Sequence, residues 1–342
     1  MVGGKIQMVN IGKLEDLFNQ FDEAVGLLQT AIDVSYVEAL TETLQNVAYE
    51  GKAQQLEGLP SDEVVAKLNR LYRKMKWDEL SREDVRKLVQ LGFIKAIRVD
   101  KIQSNHQMTP DTIAFLLAYF IGAIKNDPTE ALHIHDLAVG TGNLLMIVMD
   151  YLEKRGNKVT AEAVDNDDLL IALASNHAHL QKWDQAISFN HSDSLQELLI
   201  KPADLAVTDL PVGYYPVSER ANKFSTSFEE GYSYAHFLLI EQHLKYLKDG
   251  GWGFFIVPKN LIESDKEGVF MNWLKGNAYL QGMLQLPESL FHSEQMQKSI
   301  LILQKKGNQA KQVDEVLLGS IPNIKDAKRM QAFLGQFNNW VK

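Results

Sequence analysis

The stretch DLAVGTGNLL at residues 136–145 decides the fold, because it joins an apolar strand to a helix through two glycines. The strand covers about Leu132 to Leu137. Gly140 and Gly142 let the backbone approach a ligand where side chains would obstruct it. Position 145 is leucine where a dinucleotide fingerprint has its third glycine, which disfavours a bound pyrophosphate. At this point a tight strand-to-helix turn without a ligand is the alternative.

Short apolar runs alternate with helical patterns on the C-terminal side of this turn. Strands alternating with helices are typical of a doubly wound, mainly parallel sheet, so we expect an α/β fold of Rossmann-like topology. The last two runs lie close together, which allows an antiparallel edge. The later strands are predicted near residues 160–164, 186–189, 205–208, 252–257, 280–286 and 299–304.

The 342 residues are predicted to form three parts. Residues 1–100 carry apolar residues at helical spacing and should form a helical N-terminal domain. Ser61 and Ser81 precede acidic residues, a pattern typical of helix N-caps. Residues 101–310 should carry the sheet, and residues 311–342 should form a helical tail that packs on the core.

The composition excludes several classes of protein. There are 35 basic and 44 acidic residues, a net charge of −9 that excludes a uniformly basic nucleic-acid-binding coat. The chain has no cysteine, so disulfides, thiolate zinc sites and iron–sulfur clusters are impossible. The apolar run Ile113 to Ile124 is shorter than the roughly 20 residues that span a bilayer, and the N-terminus lacks a signal-peptide core. We therefore expect a cytoplasmic protein.

Histidine is frequent enough to raise the question of a metal site. The pair His133 and His135 lies in or beside the first predicted strand, where packing or a surface location is the expected role. No metal is predicted.

Charge is segregated within the N-terminal region. Residues 1–66 hold 3 basic and 11 acidic side chains, whereas residues 67–98 hold 10 basic and 4 acidic side chains. The basic stretch, Lys67 to Arg98, has two interpretations: a solvated face that pairs with the acidic half, or a surface that contacts phosphates. The sequence leaves both open.

Acidic residues follow three of the predicted strands. Asp165 ends the second strand, where nucleotide-binding folds place an acceptor for ribose hydroxyls. Asp193 follows the third strand and could accept a bond from an adenine amino group or cap a helix beginning near Leu195. Asp209 ends the fourth strand, at the edge where open α/β sheets bind ligands. This edge is therefore the predicted active site.

A set of motifs follows in fixed order along the chain: TPD at 109–111, DLAVGTGNLL at 136–145, AVDNDD at 163–168, the Asp193 loop, DLPVGYYP at 209–216, GGWGFFIVPKNLI at 250–262, and LPESLF to SILIL at 286–303. This set resembles the methyltransferases that act on N6 of adenine in DNA, in the arrangement called gamma. The resemblance spans about residues 101–305. Within that group the chain is most similar to the YtxK-type proteins of Gram-positive bacteria, which also carry a helical N-terminal region.

The resemblance implies S-adenosylmethionine as the cofactor. It implies that Thr109 and the turn from Gly140 to Gly142 lie near the methionine moiety, with Asp165 on the ribose and Asp193 on the adenine. The residues predicted to bind the cofactor are Thr109, Asp136, Ala138, Gly140, Thr141, Gly142, Asn143, Asp165, Asn166, Asp193 and Ser194.

The family's catalytic motif is (Asn/Asp)-Pro-Pro-aromatic, and this chain keeps only part of it. Asp209 supplies the side-chain acceptor, Leu210 still offers its carbonyl, and Pro211 restrains Leu210 to an extended conformation. Val212 stands where the family has an aromatic that stacks on the flipped base, a contact worth about 1 to 3 kcal/mol. Its loss means a roughly 5- to 200-fold weakening unless Tyr214 or its neighbour Tyr215 compensates, and loop packing is the alternative role of these tyrosines. The predicted catalytic residues are Asp209, Leu210, Pro211 and Tyr214.

The resulting prediction is an S-adenosylmethionine-dependent methyltransferase of the N6-adenine type with DNA as its partner. The stretch Lys67 to Arg98 is the candidate contact face, since only about 40 residues follow Leu303 where the family carries a target recognition domain. Two alternatives stay open: a cofactor-binding protein that has lost catalysis and acts as an interaction module, and a methyltransferase acting on RNA or protein.

Overall fold

The computed structural model describes residues 11–102, 108–265 and 267–342. Backbone contacts divide the chain into two compact units. Of the described residues, 11–102, 108 and 168–185 form the helical unit, and 109–167, 186–265 and 267–342 form the sheet unit. The helix that follows the second strand, which we predicted within the sheet domain, therefore clusters with the N-terminal helices.

The described residues form twelve α-helices and eight strands. The helices are α1 Ile11–Ile32, α2 Tyr36–Ala48, α3 Asp62–Met75, α4 Arg82–Val99, α5 Asp111–Ile124, α6 Asn143–Arg155, α7 Asp168–Leu180, α8 Ser218–Ala221, α9 Ala235–Tyr246, α10 Leu261–Ser264, α11 Val269–Asn277 and α12 Ala327–Val341. The strands are β1 Ala131–Asp136, β2 Lys158–Asp165, β3 Ile187–His191, β4 Ala203–Asp209, β5 Leu247–Pro258, β6 Ala278–Gln285, β7 Lys298–Lys305 and β8 Leu317–Ser320.

The helical unit is built from α1 to α4 and α7 around a shared apolar core that includes the fully buried Phe21, Leu40 and Phe93. Ser81 caps α4 as predicted, accepting a bond from the Asp84 amide while the Asp84 carboxylate accepts from the Ser81 amide. Ser61 occupies the N-cap position of α3, but its side chain makes no capping bond.

The sheet unit confirms the predicted fold class. Its eight strands lie in the order β3-β2-β1-β4-β5-β7-β6-β8, and β1 to β5 are mutually parallel. The antiparallel strand is β7, but it lies between β5 and β6 and is not at the edge. The edge strand next to β6 is β8, which pairs in parallel with it, and the other edge strand is β3. Strand β8 lies within residues 311–342, where we expected only helix.

The C-terminal helix α12 packs on α5 through aromatic side chains. The rings of Phe337 and Phe120 stack with centroids 4.2 Å apart, and the Asn338 amide bonds the Tyr119 hydroxyl.

None of the described helices is both long and apolar enough to cross a membrane.

Parallel strands place their carboxyl ends at one edge of the sheet. Asp136, Asp165 and Asp209 are the last residues of β1, β2 and β4 and therefore share this edge. Because β7 runs the other way, its first residue, Lys298, lies at the same edge opposite Pro258, the last residue of β5. We call this edge the acidic edge.

Candidate active site

The glycine turn between β1 and α6 has backbone angles that favour glycine. Gly140 has a φ of 53° and Gly142 a φ of 76°, and Gly142 serves as the N-cap of α6. A Cβ atom added at Gly140 would meet no other atom within 4 Å, so the space in front of this residue is open. The turn therefore provides a backbone surface that a ligand can approach.

Asp165 ties the end of β2 to this turn. One carboxylate oxygen accepts the Gly140 amide at 2.7 Å, and the other accepts the Asp167 amide at 3.0 Å. Burial raises the pKa of Asp165, and the two backbone bonds oppose that rise. Each carboxylate oxygen can accept more than one bond, so Asp165 keeps acceptor capacity for a hydroxyl.

Asp136 at the end of β1 is buried. Its Oδ1 accepts bonds from the Ala138 amide at 3.1 Å and from the Thr208 hydroxyl. Burial raises its pKa to about 7, and the negative charges of Asp165 and Asp209 add to the effect. Asp136 therefore changes its charge near neutral pH.

This shift predicts a pH dependence of stability. Between the ordinary aspartate pKa near 4 and about 7, the folded chain holds a proton on Asp136 that the unfolded chain has lost. The contribution is fully present below about pH 4 and is lost as pH rises through about 7. Denaturant unfolding at pH 5, 6, 7 and 8 should show stability falling more steeply for the wild type than for Asp136→Asn. Equal slopes would contradict this prediction.

Asp209 at the end of β4 has a hydrogen-bond or ion-pair partner on each carboxylate oxygen. Oδ2 accepts the Thr109 hydroxyl at 2.9 Å, and Oδ1 lies 2.5 Å from the ammonium nitrogen of Lys298. The Thr109 carbonyl in turn accepts the side-chain amide of Asn143 at 2.8 Å. Thr109 thus links Asp209 to the residue that follows the glycine turn.

The Leu210 carbonyl lacks a hydrogen-bond donor because of its place in the sheet, and the residue itself is fully buried. The Leu210 amide bonds the Ile256 carbonyl at 3.0 Å, so the parallel ladder would next pair the Leu210 carbonyl with the amide of residue 258. That residue is proline, which has no N–H to donate. No donor to this carbonyl occurs among the described residues. A backbone acceptor therefore follows Asp209 directly.

The loop after Asp209 separates the two tyrosines left open by the sequence. Val212 is 54% exposed and Tyr214 is 59% exposed. The Tyr214 ring stacks on Tyr234 with centroids 4.6 Å apart and planes 13° apart. Tyr215 instead directs its hydroxyl to the Asp193 carboxylate at 2.5 Å. Tyr214 is therefore the tyrosine with a ring face that a ligand can reach.

Asp193 is held within the protein. Its Oδ1 accepts the Leu195 amide at 2.9 Å, and its Oδ2 accepts from the Tyr215 hydroxyl and from Arg220. No helix begins near Leu195, so the capping alternative is wrong; the carboxylate closes a local turn. The neighbouring Ser194 is buried, and its hydroxyl donates to the Leu137 carbonyl at 2.5 Å.

The remaining predicted cofactor residues lie around the turn. The Ala138 amide bonds Asp136, Thr141 and Asn143 are buried, and Asn166 is exposed. The carbonyl of Asn166 lies 3.2 Å from a ring nitrogen of His191. The acidic edge thus brings together residues from β1, β2, β4 and the segment before α5.

Three histidines of the sheet unit, His135, His236 and His243, are buried, whereas His133 is partly exposed. His135 and His243 are fully buried with ring centroids 4.9 Å apart, and burial lowers the pKa of His135 to about 3. Across the described residues, no group of three or more His, Cys, Asp or Glu could hold a metal ion.

The structure divides the basic stretch of the helical unit into engaged and free side chains. Lys67, Lys76, Lys87 and Lys95 pair with acidic residues. Arg82 lies over the Trp183 ring, and Arg86 is buried. The other four are exposed and have no ion pair with any described residue; they are Arg70, Arg73, Lys74 and Arg98. We call these four the free basic residues.

Sequence reasoning missed three residues beside the candidate site. Lys298, Arg220 and Tyr234 contact Asp209, Asp193 and Tyr214. Each reaches its partner from a distant part of the chain, so no local pattern could have found them. The only signal was a lysine directly before the apolar run of β7.

The fold and the acidic edge together define a class I S-adenosylmethionine-dependent methyltransferase. A solved structure from Listeria monocytogenes that is described as belonging to this class matches with a TM-score of 0.88 and 38% identity, covering 97% of this chain and 99% of that one. The residues present fit S-adenosylmethionine. Gly140 leaves open space in front of the turn, and the buried Oδ1 of Asn143 has no partner among the described residues.

The chain belongs to the N-6 DNA methylase family, whose model matches residues 97–335. Residues 15–97 match the YtxK N-terminal helical domain. The uncharacterised protein YtxK of Bacillus subtilis is 38% identical over 98% of this chain and 99% of its own length. The tRNA1(Val) (adenine(37)-N6)-methyltransferase of Glaesserella parasuis is 28% identical over 42% of this chain and 60% of its own length. The family model and YtxK confirm the predicted family, and the family model together with the Listeria monocytogenes structure confirms S-adenosylmethionine as the cofactor.

Proposed function

We propose that this chain methylates N6 of adenine in DNA, with the amine held between the Asp209 carboxylate and the Leu210 carbonyl. The observation that carries the proposal is that these two acceptors follow each other at the acidic edge. The Leu210 carbonyl lacks a donor because residue 258 is proline, and since Leu210 is fully buried, the amine has to displace neighbouring groups to reach it. The family to which the chain belongs is described as N-6 DNA methylases.

The two hydrogen-bond acceptors can make the adenine amine more nucleophilic. The lone pair of an exocyclic adenine amine is delocalised into the ring, which makes the amine a poor nucleophile. Hydrogen bonds from its two N–H groups to Asp209 and Leu210 favour the form that attacks. The bound cofactor supplies a methyl group activated by a sulfonium. The amine held by Asp209 and Leu210 would accept this methyl group, S-adenosylhomocysteine would be the leaving group, and the proton lost from the amine would pass to solvent water.

The cofactor-binding roles are part of the same proposal. Asp165 would accept bonds from the ribose hydroxyls with the acceptor capacity that it retains. The turn from Gly140 to Gly142 and the buried Asn143 would hold the methionine moiety. Asp193 would receive the adenine amino group through its Oδ1, since Tyr215 and Arg220 already share its Oδ2.

Tyr214 supplies the stacking surface in this proposal. Its exposed ring lies five residues beyond Asp209, and Tyr234 supports it from behind. Tyr214→Ala should raise the KM for DNA about 5- to 200-fold, because base–aromatic stacking is worth about 1 to 3 kcal/mol. Tyr214→Phe should retain activity. Steady-state methylation kinetics measure this, and an unchanged KM in Tyr214→Ala would rule out the stacking role.

The free basic residues are the proposed DNA contacts of the helical unit. Arg70, Arg73 and Lys74 lie on one face of α3 by their spacing, and Arg98 is near the end of α4. Replacing all four with glutamate should weaken DNA binding at least tenfold and flatten its salt dependence, since each lost phosphate contact lowers the slope by about 0.9. Lys52→Glu, outside the stretch, is the control. Anisotropy titrations at several salt concentrations that show the same slope would exclude this surface.

A second candidate function is cofactor binding without catalysis, with the helical unit serving as an interaction module. The exposed Val212 favours it, because the family's stacking aromatic is missing there. Tight S-adenosylmethionine binding together with no methyl transfer to DNA, RNA or protein in a labelled cell lysate would support this candidate. Label in RNA would instead favour the chemistry named for the Glaesserella parasuis relative, which acts on adenine N6 in tRNA.

A further inference from the structure

Lys298 reaches Asp209 across an intervening strand. Strands β4 and β7 are both neighbours of β5, so they lie two strand spacings apart, or roughly 10 Å. β5 ends at Pro258, directly opposite Lys298, so the long lysine side chain can pass its end. The ammonium lies 2.5 Å from Asp209 Oδ1, and the lysine side chain is only 25% exposed. A partly buried cation is therefore fixed beside the proposed methyl-acceptor site.

The contact with Lys298 fixes the orientation of the Asp209 carboxylate. Lys298 holds Oδ1 and the Thr109 hydroxyl holds Oδ2, so the carboxylate cannot rotate without breaking one of these bonds. Each oxygen still has a lone pair, which lets the carboxylate accept one further N–H. The amine therefore meets a carboxylate that is already oriented and does not have to be ordered during the reaction.

The contact also sets the charge of the acceptor site. An amine nitrogen bonded to Asp209 would lie within roughly 5 Å of the Lys298 ammonium, given ordinary hydrogen-bond lengths. A protonated alkylamine there would bring two positive charges together, whereas a neutral conjugated amine or amide would not. The site thus disfavours lysine-like acceptors.

We propose that Lys298 is a positioning and selectivity residue of the methyl-acceptor site, one that orients Asp209 and restricts the acceptor to neutral, conjugated NH2 groups such as an aminopurine. The inference rests on the proposed role of Asp209 in methyl transfer. It adds a positioning residue outside the catalytic motif DLPVGYYP and a reason, based on charge, for the class of acceptor.

The test compares Lys298→Met, Lys298→Arg and wild type in transfer of labelled methyl groups to sheared DNA and to poly-L-lysine. We expect Lys298→Met to lower kcat on DNA at least tenfold, with the KM for S-adenosylmethionine within about threefold, and Lys298→Arg to recover most of the loss. The ratio of DNA to poly-L-lysine labelling should also fall in Lys298→Met. Wild-type kcat and an unchanged ratio in this variant would overturn the proposal.

The chain offers a matched control on the same strand. Asp204 pairs with Lys248 at 2.7 Å near the start of β4, and its side chain is 19% exposed, like that of Asp209. Lys248→Met should therefore leave kcat and the labelling ratio unchanged. An equal loss in Lys248→Met would show that any lysine removal disturbs the sheet, which would also overturn the proposal.

A stability measurement separates this inference from the proposed function. Thermal unfolding gives the loss of stability in Lys298→Met, in Asp209→Asn and in the double variant. If Lys298 pairs with Asp209, the loss in the double variant should be smaller than the sum of the two single losses. If the losses are not additive but wild type transfers no methyl group, then Lys298 does contact Asp209, but the proposed methylation and the proposed selectivity are both wrong. Additive losses would reject the contact even if wild type methylates DNA.

Discussion

Asp209→Ala should lower methyl transfer to DNA by about 100- to 1000-fold, the range seen when one preorganised group is removed from an active site. The variant loses the side-chain acceptor at the end of β4 and leaves the Thr109 hydroxyl and Lys298 without their partner. Affinity for S-adenosylmethionine should stay within about threefold, because the proposed ribose acceptor is Asp165. Single-turnover rates and calorimetric titration of the cofactor measure the two effects separately.

The control for this prediction is Asp204→Ala. Asp204 is as exposed as Asp209 and also forms an ion pair with a lysine, but it lies near the opposite end of the same strand. We expect Asp204→Ala to keep wild-type transfer. If Asp209→Ala transfers methyl groups as fast as Asp204→Ala, then Asp209 does not contact the acceptor. Asp209→Asn, which keeps an acceptor oxygen but not the charge, should fall between the two.

The second large effect concerns the cofactor. Asp165→Ala should weaken S-adenosylmethionine binding about 10- to 150-fold, since a hydrogen bond to a charged group contributes about 1.5 to 3 kcal/mol. The variant also releases the Gly140 amide, which now donates to Asp165 at 2.7 Å, so the glycine turn loses an anchor. Calorimetric titration gives the dissociation constant directly.

Two comparisons make the Asp165 prediction specific. Asp204→Ala should bind the cofactor like wild type, because it lies far along β4 from the acidic edge. Asp165→Glu should recover part of the affinity, since it restores a carboxylate one methylene further out. A dissociation constant in Asp165→Ala equal to that of wild type would place the cofactor elsewhere than at the end of β2.

The sequence was sufficient to predict the central strands and the glycine turn because these depend on local patterns. Apolar runs bounded by turns identify β1 to β5, and parallel strands must share their carboxyl edge. The position of β7 between β5 and β6 and the presence of β8 depend on pairing between distant segments. The spacing of apolar residues and the strand propensity of a segment carry no information about which distant segment it pairs with. The same reason explains why α7 clusters with the N-terminal helices.

In the candidate site, the residues at strand ends were predictable from the sequence, whereas contacts between distant segments were not. Asp165 and Asp209 follow from the rule that ligands bind beyond the ends of parallel strands. Lys298 was missed because its approach to Asp209 requires β7 to be antiparallel and next to β5. The stack of Tyr214 on Tyr234 likewise joins two loops separated by 20 residues. The helix beginning near Leu195, one of the two alternatives for Asp193, does not form, although the Asp193 carboxylate accepts the Leu195 amide as an N-cap residue would.

The proposed transfer of a methyl group to adenine N6 in DNA through Asp209 can be tested directly by mass spectrometry. Nucleosides are analysed from DNA lacking N6-methyladenine after incubation with the protein and S-adenosylmethionine. We expect N6-methyldeoxyadenosine with wild type and with Asp204→Ala, and its loss with Asp209→Ala. A wild-type protein that binds S-adenosylmethionine but forms no N6-methyldeoxyadenosine would show that the chain does not methylate DNA adenine.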